Sequence, residues 1–311
     1  MLSMIKSLLF ITILLSTAYA NSTYITELQE QFKKEVIELN AFKKRFDIYL
    51  TNSCGDNLKC YKKKINKLKS WESVQHDKKL KYLLSKKSTL LNYNEEYWNN
   101  LVFKLNKTNI DLNSSQFVSI IDLKKQLYTV ALWHEDTKKF YYIGNDFISS
   151  GNIAREKWVK FGEDHYFKTP AGVFKSQSGW RSEGKTNDDN VTLGYGQKDR
   201  YIFYFGQHQS IRYNTFDEYN QKIYDENKWK LITDNLNLAV HSHESTKPMG
   251  VPNSHGCIRI TDELNRFLDN NSILHKNMLN GDKWLHKYSE EPNNSKYQNL
   301  AGEYLIIFNT I

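Results

Sequence analysis

Three histidines and one cysteine lie close together in the segment HSHESTKPMGVPNSHGCIRI, residues 241–260. Side chains of these types at such short spacing have three common uses. A histidine can activate the cysteine as a thiolate nucleophile, the same atoms can bind zinc, or the cluster can be a polar corner of a core. The pattern around the histidines and the cysteine decides which use it favours.

The residues that precede the cluster predict a β-strand ending near the first histidine. In NLNLAVHSH, residues 235–243, Leu236, Leu238 and Val240 occupy alternate positions. Because side chains alternate along a strand, these three share one face. His241 and His243 then lie on the opposite face, about 7 Å apart along the backbone.

The chain then passes through a loop that contains Gly250 and reaches SHGCIRI, residues 254–260. Gly256 allows the backbone to bend sharply or to approach a ligand closely. Two isoleucines alternate with Cys257 and Arg259, so the thiol and the guanidinium share a face. A loop return can place that face opposite His241.

This arrangement suits a cysteine nucleophile. An imidazole within hydrogen-bond reach makes a thiolate accessible near neutral pH, and a third group must orient that imidazole. Backbone N–H groups near Gly256 and Cys257 are expected to stabilise an oxyanion. Arg259 offers a fixed cation for a substrate carboxylate.

At this point the sequence resembles a known family. His241, a gap of twelve residues, and Ser254-His255-Gly256-Cys257-Ile258-Arg259 resemble the signature of the L,D-transpeptidase catalytic domain (YkuD) family. TPAGVF, residues 169–174, and IIDLKKQLYTV, residues 120–130, resemble strands of that family, and Gly250 falls where its loop often has a glycine. The resemblance covers roughly residues 117–311.

The resemblance implies the fold class and the reaction. It implies an α+β chain with a mainly β catalytic domain, similar to the family's β-sandwich, acting on peptidoglycan stem peptides. Cys257 would attack the L,D amide after the third residue of a tetrapeptide stem and form a thioester. An amine would resolve that thioester in an L,D-transpeptidase, and water would resolve it in an L,D-carboxypeptidase.

The resemblance also implies roles for individual residues. His241 would be the base, and the Ser242 carbonyl would orient it. His243 and the charged loop ESTKP, residues 244–248, depart from the family pattern. Both departures bear on how the site would bind the acceptor. The remaining roles are oxyanion stabilisation by His255 and Gly256, and substrate binding by Arg259, Ser254 and Gly250.

Two other classes of protein fit the same residues. A zinc peptidase could use both histidines of the HSH triplet with His255 and Cys257, although the segment lacks the usual acidic base. A non-catalytic wall-binding protein would keep the fold and tolerate the loss of Cys257, and a buried inert cysteine is a further alternative. We predict an enzyme that needs no metal and no cofactor.

The first residues predict an exported protein. Residues 1–20 combine Lys6, an apolar core and a small-x-small end at Ala18-Tyr19-Ala20, which is typical of a signal peptide; an uncleaved anchor is the alternative. We therefore expect the periplasm or cell envelope. The net charge of +8 and the pI of about 9.0 favour peripheral contact with anionic envelope polymers. No nucleic-acid-binding motif accompanies the charge.

The rest of the chain divides into two predicted domains. Residues 21–108 are predicted to form a helical module, in which Cys54 and Cys60 form a disulfide that leaves Cys257 free. The apolar stripe of its first helix, residues 24–50, is expected to pack within the module. A dimer contact or a partner-binding face is the alternative. Residues 115–311 carry short strands and form the catalytic domain. This domain order also resembles L,D-carboxypeptidases that set helical cell shape, without their third domain.

Overall fold

The computed structural model describes residues 23–65, 78, 94–184, 195–243, 249–279 and 296–311. The chain divides into two compact units, Met1–Leu90 and Leu91–Ile311, and each is described by itself. The predicted signal peptide, residues 1–20, lies outside the described residues. Within these ranges no helix is both long enough and apolar enough to cross a membrane.

The described part of the first unit begins with a long helical segment. Residues 23–32 are α-helical, Lys33–Glu38 form a π-helical turn, and α1 spans Leu39–Cys54. The wider π turn shifts the buried face along the helix. The apolar stripe is buried at positions three to six residues apart, namely Ile25, Leu28, Phe32, Val36, Phe42, Phe46 and Leu50.

A tight, disulfide-bonded turn follows α1. Gly55 ends the helix with φ of 50°, a backbone conformation that favours glycine. The Asn57 side chain accepts a hydrogen bond from Cys60 N at 3.0 Å and so caps α2, Leu58–Ile65. The sulfur atoms of Cys54 and Cys60 are bonded to each other, and Cys257 is a free thiol.

Helix α3, Glu95–Leu105, belongs to the second unit rather than to the first. Asn94 caps its start by accepting a hydrogen bond from Tyr97 N at 2.9 Å. The boundary therefore differs from the predicted limit at residue 108, because helical periodicity identifies a buried face without identifying the core that buries it. The helix packs against strand residues through Tyr97, Trp98, Leu101 and Leu105.

In its described residues, the second unit is built on one mixed sheet of nine strands in the order β4-β9-β1-β2-β3-β8-β7-β6-β5. The predicted α+β class with a mainly β catalytic domain is thus confirmed. Two pairs of neighbours, β1 with β9 and β7 with β8, are parallel, and the other pairs are antiparallel. The strands are β1 Gln116–Asp122, β2 Leu127–His134, β3 Lys139–Ser149, β4 Gly172–Lys175, β5 Ser178–Arg181, β6 Tyr201–Asn214, β7 Lys230–Ser242, β8 Ile258–Ile260 and β9 Tyr304–Phe308.

The short strand β8 lies between two much longer strands. It pairs with the end of β3 on one side and with the end of β7 on the other. All three of its residues are buried. A strand held on both edges has a fixed register, and the segment that precedes it is fixed as well.

Helix α4, Asp262–Asn270, follows β8 directly. Thr261 caps it by accepting a hydrogen bond from Leu264 N at 3.2 Å. The Asn265 side chain bonds the backbone of Tyr201, accepting from its N at 3.1 Å and donating to its O at 2.7 Å. These bonds hold α4 against β6, and the short helix α5, Lys276–Leu279, comes after it.

Candidate functional site

The register of β7 and β8 brings three of the predicted site residues to one face. His241 lies opposite Arg259, and Val240 lies opposite Ile258. Side chains alternate between faces, so Cys257, two residues before Arg259, points to the same side as His241. The sheet therefore assembles the cluster from two parallel neighbouring strands.

The histidine has a defined tautomer. His241 Nδ1 lies 2.8 Å from the Ser242 carbonyl oxygen. A carbonyl only accepts, so Nδ1 carries the hydrogen and Nε2 keeps a lone pair. Burial, and then the Arg259 charge, lower the pKa of His241 to about 3, although the bond to Ser242 opposes this. The imidazole is therefore a neutral group with a free basic nitrogen at neutral pH.

The cysteine is also neutral in this structure. The Cys257 thiol donates to the Asn237 carbonyl oxygen at 3.3 Å. Burial raises the pKa of Cys257 above its ordinary value, against the lowering effects of an Ala239 backbone bond and the Arg259 charge. A thiol and an imidazole that are both neutral form a nucleophile and base before proton transfer, not a preformed ion pair.

The neutral thiol predicts a particular pH dependence of alkylation. Only the thiolate reacts with iodoacetamide, so the rate at Cys257 should rise through pH 7 to 9.5 without levelling off. The control is the same protein unfolded in urea, whose thiol should titrate with a pKa of about 8.5. The Cys54–Cys60 disulfide keeps those two sulfur atoms out of the reaction. A plateau below pH 7 in the folded protein would show a thiolate and contradict the neutral pair.

A compact turn leads into Cys257. The Ser254 hydroxyl donates to the Cys257 carbonyl oxygen and accepts from Gly256 N at 3.1 Å. Gly256 has φ of 133°, and a Cβ added there would lie 2.7 Å from Leu236 Cδ1, so only glycine fits. The Gly256 N–H is used within the turn, which differs from its expected part in the oxyanion site.

A neighbouring segment fixes the carbonyls of the same turn. Thr169 Oγ1 donates to the Gly256 oxygen at 2.6 Å and accepts from Gly151 N at 2.8 Å. Phe167 N donates to the His255 oxygen at 3.0 Å. Thr169 belongs to the TPAGVF segment, so this segment contributes by holding the turn that presents Cys257.

Replacing Thr169 by valine tests this role. Valine keeps the shape but leaves the Gly256 carbonyl and the Gly151 N–H without Oγ1, at a cost of about 2–4 kcal/mol of unfolding free energy. Thr108→Val is the matched control, since among the described residues Thr108 Oγ1 bonds only the helical carbonyl of Lys104, at 2.9 Å. Urea unfolding should separate the two variants. Equal stability would show that Thr169 does not hold the turn.

The other predicted site residues lie around this turn. Arg259 is buried, and its Nη1 donates to the Asn253 oxygen at 3.0 Å. The His255 ring stacks on Tyr166 with centroids 3.9 Å apart. Gly250 has φ of 86° and donates from its N to the Ile148 oxygen at 2.7 Å, which places it beside β3.

The second histidine of the HSH triplet is placed differently from the first. His243 is buried and its backbone N donates to the Ile260 oxygen at 2.9 Å, which extends the pairing of β7 with β8. The charged loop, residues 244–248, lies outside the described residues. In the part of the chain that the structure describes, no group of three His, Cys, Asp or Glu side chains is arranged to hold a metal ion.

Sequence reasoning missed Tyr195, which lies beside the base. Its ring is edge-on to the His241 ring, with centroids 5.2 Å apart. Tyr195 as a residue is 45% exposed to solvent. Burial, then the nearby Cys257, raise the pKa of Tyr195, so the phenol stays protonated. Gly196 has φ of 78°, and a Cβ there would lie 2.1 Å from Ser242 Oγ. The Tyr-Gly pair in LGYGQ was the available signal.

The chain matches the model of a known protein family over the region that contains this site. Residues 116–283, more than half of the chain, match the model of the YkuD L,D-transpeptidase catalytic domain. The chain belongs to the L,D-transpeptidase family. The matched region begins at β1 and includes the whole cluster from His241 to Arg259.

Solved structures with likeness to this member of the L,D-transpeptidase family are distant. Bd1075 of Bdellovibrio bacteriovorus is 14% identical with a TM-score of 0.30, covering 65% of this chain and 51% of its own. An L,D-transpeptidase from Mycobacterium smegmatis is 12% identical with a TM-score of 0.27, covering 62% and 59%. One from Xylanimonas cellulosilytica is 17% identical with a TM-score of 0.27, covering 68% and 69%.

This chain therefore spans between half and three-fifths of the length of the first two structures. A search of the curated proteins finds no match. The assignment to the family rests on the match over residues 116–283.

Proposed function

We propose that this protein is a peptidoglycan-modifying enzyme that uses Cys257 to cleave the L,D amide of tetrapeptide stems. The acyl group is transferred to an amine of a second stem, which is the activity of an L,D-transpeptidase. The observation that carries this proposal is the hydrogen bond from His241 Nδ1 to the Ser242 oxygen, 2.8 Å long. It leaves Nε2 as a base on the face that Cys257 shares.

The first half of the reaction forms a thioester. Cys257 Sγ–H turns from the Asn237 oxygen toward His241 Nε2, which takes the proton. The sulfur attacks the carbonyl carbon of the third residue of the stem, in the amide that joins this residue to D-Ala. The tetrahedral intermediate then breaks the C–N bond, and the D-Ala nitrogen leaves with the proton from His241.

The second half resolves the thioester. An acceptor amine attacks the same carbonyl carbon, gives a proton to His241 Nε2, and the C–S bond breaks to restore the thiol. Water acting in place of the amine gives a carboxylic acid, which is the L,D-carboxypeptidase outcome. Because the proton is returned in either case, the Cys257–His241 pair is ready for another cycle.

Arg259 contributes to the site by its charge. The buried guanidinium lowers the pKa of both His241 and Cys257. It therefore favours the thiolate while it keeps the imidazole neutral, and both effects suit a general base that acts on a thiol. We assign Arg259, Ser254 and Gly250 to shaping the substrate site, and His255 and Gly256 to holding the turn that carries Cys257.

The setting of the reaction is part of the proposal. The predicted signal peptide supports export to the periplasm or cell envelope, where stem peptides are found. The net charge of +8 supports contact with anionic envelope polymers there. The helical first unit would then serve a dimer or partner contact.

The proposal is tested by incubating the purified protein with defined tetrapeptide muropeptides and identifying the products by mass. Cross-linked dimers with released D-Ala are expected. Tripeptides without dimers would make the protein an L,D-carboxypeptidase. Unchanged tetrapeptides, with donor and acceptor both supplied, would contradict the proposed function.

A further inference from the structure

The hairpin formed by β6 and β7 is much longer than the strands beside it, since β5 pairs only with residues 201–204 and β8 only with residues 240–242. Opposed residues of an antiparallel pair lie on the same face, and the face changes from one pair to the next. The inner face packs against the rest of the unit. There the His208 ring contacts Phe174 with centroids 4.7 Å apart, and the Ser210 hydroxyl donates to the Lys168 oxygen.

The outer face of the hairpin is exposed and uncharged. It carries three successive pairs, which are Gln207 with Asn237, Gln209 with Asn235, and Ile211 with Thr233. All six residues are exposed. None of the six carries a charge, although 25% of the residues of the chain are charged. From Gln207 to Tyr213, the next outer position, the face extends over about 20 Å, at about 3.3 Å per residue.

This outer face is continuous with the proposed catalytic residues. Asn237, Ala239 and His241 occupy alternate positions of β7, so the base lies on the same side of the sheet as the uncharged pairs. The Cys257 thiol donates to the Asn237 oxygen at 3.3 Å, which places the sulfur at one end of the face. An extended polymer that lies along the hairpin therefore reaches Cys257.

Amide side chains form the half of the outer face nearer to Cys257. Gln209 Nε2 donates to Asn235 Oδ1, and the Tyr204 hydroxyl donates to Asn237 Oδ1 at 3.1 Å. An amide group has two hydrogens on its nitrogen and two lone pairs on its oxygen, so these bonds use only part of its capacity. Hydroxyl and acetamido groups of a ligand match the donors and acceptors that are left.

Aromatic rings lie at both ends of the outer face. At the catalytic end the Trp180 ring lies with its centroid 6.0 Å from that of Tyr204 and 6.1 Å from that of Tyr195. At the other end the Tyr213 and Trp229 centroids are 5.6 Å apart. Such rings combine a flat apolar surface with a polar tip. They suit sugar rings, which have apolar C–H faces and polar edges.

We propose that the outer face of the β6–β7 hairpin binds a neutral glycan strand that carries N-acetyl groups. Anionic polymers and lipid headgroups are bound by lysine and arginine, and the three pairs supply neither, so a neutral strand is the complementary ligand. The direction of the strand, with its stem peptide at Cys257, rests on the proposed function. Binding of the strand itself requires no reaction at Cys257.

The test is calorimetric titration of the purified protein with chitohexaose, an uncharged chain of N-acetylglucosamine units. Cellohexaose has the same linkage without acetamido groups and should bind at least about tenfold more weakly, because it lacks their hydrogen bonds. The Kd for chitohexaose should stay within about twofold between about 0.05 and 0.5 M NaCl, because salt screens only charges. No turnover is measured, so a protein without the proposed enzymatic activity would give the same binding result.

A double variant tests the assigned face. Gln209→Ala with Asn235→Ala removes one amide pair and should weaken chitohexaose binding at least about tenfold. Asn99→Ala with Asn100→Ala is the matched control, since these exposed amides lie on α3, which packs against β1 and β9. The control should bind as the wild type does. All four residues are exposed, so urea unfolding should show no loss of stability in either variant.

Four outcomes would overturn the inference. The first three are no detectable binding of chitohexaose at millimolar concentration, cellohexaose binding as tightly as chitohexaose, and wild-type affinity in Gln209→Ala with Asn235→Ala. The fourth is a dimer in sedimentation that this double variant abolishes, since the outer face would then be an interface between two copies of the chain.

Discussion

Replacement of Cys257 by serine is expected to lower the release of D-Ala from a tetrapeptide by on the order of 10⁴-fold or more. A hydroxyl is a far poorer nucleophile than a thiolate at neutral pH, and a neutral imidazole deprotonates it only weakly. The measurement is steady-state D-Ala release by wild type and Cys257→Ser at equal concentration.

A loss of folding stability is not expected to explain this lower rate. Serine is smaller than cysteine, and the turn is held by Ser254 and Thr169 rather than by the thiol. Urea unfolding should therefore place Cys257→Ser within about 1 kcal/mol of the wild type. A serine variant that keeps the wild-type rate would exclude Cys257 as the nucleophile.

The two histidines of the HSH triplet are expected to differ sharply. His241→Ala removes the nitrogen that takes the thiol proton, so thioester formation should fall on the order of 10³-fold or more. His243→Ala should cost much less, because His243 contributes a backbone bond to Ile260 that alanine retains. Pre-steady-state acylation of Cys257 by a tetrapeptide measures both.

Comparing His241→Ala with His243→Ala also distinguishes the thiol mechanism from metal chemistry. A zinc peptidase using the triplet would lose activity equally in His241→Ala and His243→Ala and would be inhibited by a chelator. Equal and complete loss in both variants would therefore contradict the assignment of His241 as the base. Retention of full activity in His241→Ala would contradict it as well.

Much of the local structure follows from the sequence. The alternation of Leu236, Leu238 and Val240 predicts the strand that becomes the end of β7. Threonine favours the N-cap position, and Thr261 caps the start of α4. The segment IIDLKKQLYTV, which resembles strands of the family, forms parts of β1 and β2 and the turn between them. Each of these elements is determined by residues that are close in the sequence, so hydrophobic periodicity and turn residues are enough to predict it.

Features set by distant contacts could not be predicted in this way. Nothing in SHGCIRI shows that β8 lies parallel to β7 and pairs on its other edge with β3. The contact of Tyr195 with His241 depends on how closely Gly196 approaches Ser242, which is a property of the folded sheet. The packing of helix α3 in the second unit could not be predicted in this way either, because its apolar face does not identify the surface that covers it.

The most direct test of the account is the intact mass of the protein after brief mixing with a tetrapeptide donor and no acceptor. The account predicts a new species heavier by the tripeptide acyl group, located on Cys257 by peptide mapping and absent from Cys257→Ser. A wild-type protein that releases D-Ala while its mass never changes, or that carries the acyl group on another residue, would contradict the thioester mechanism.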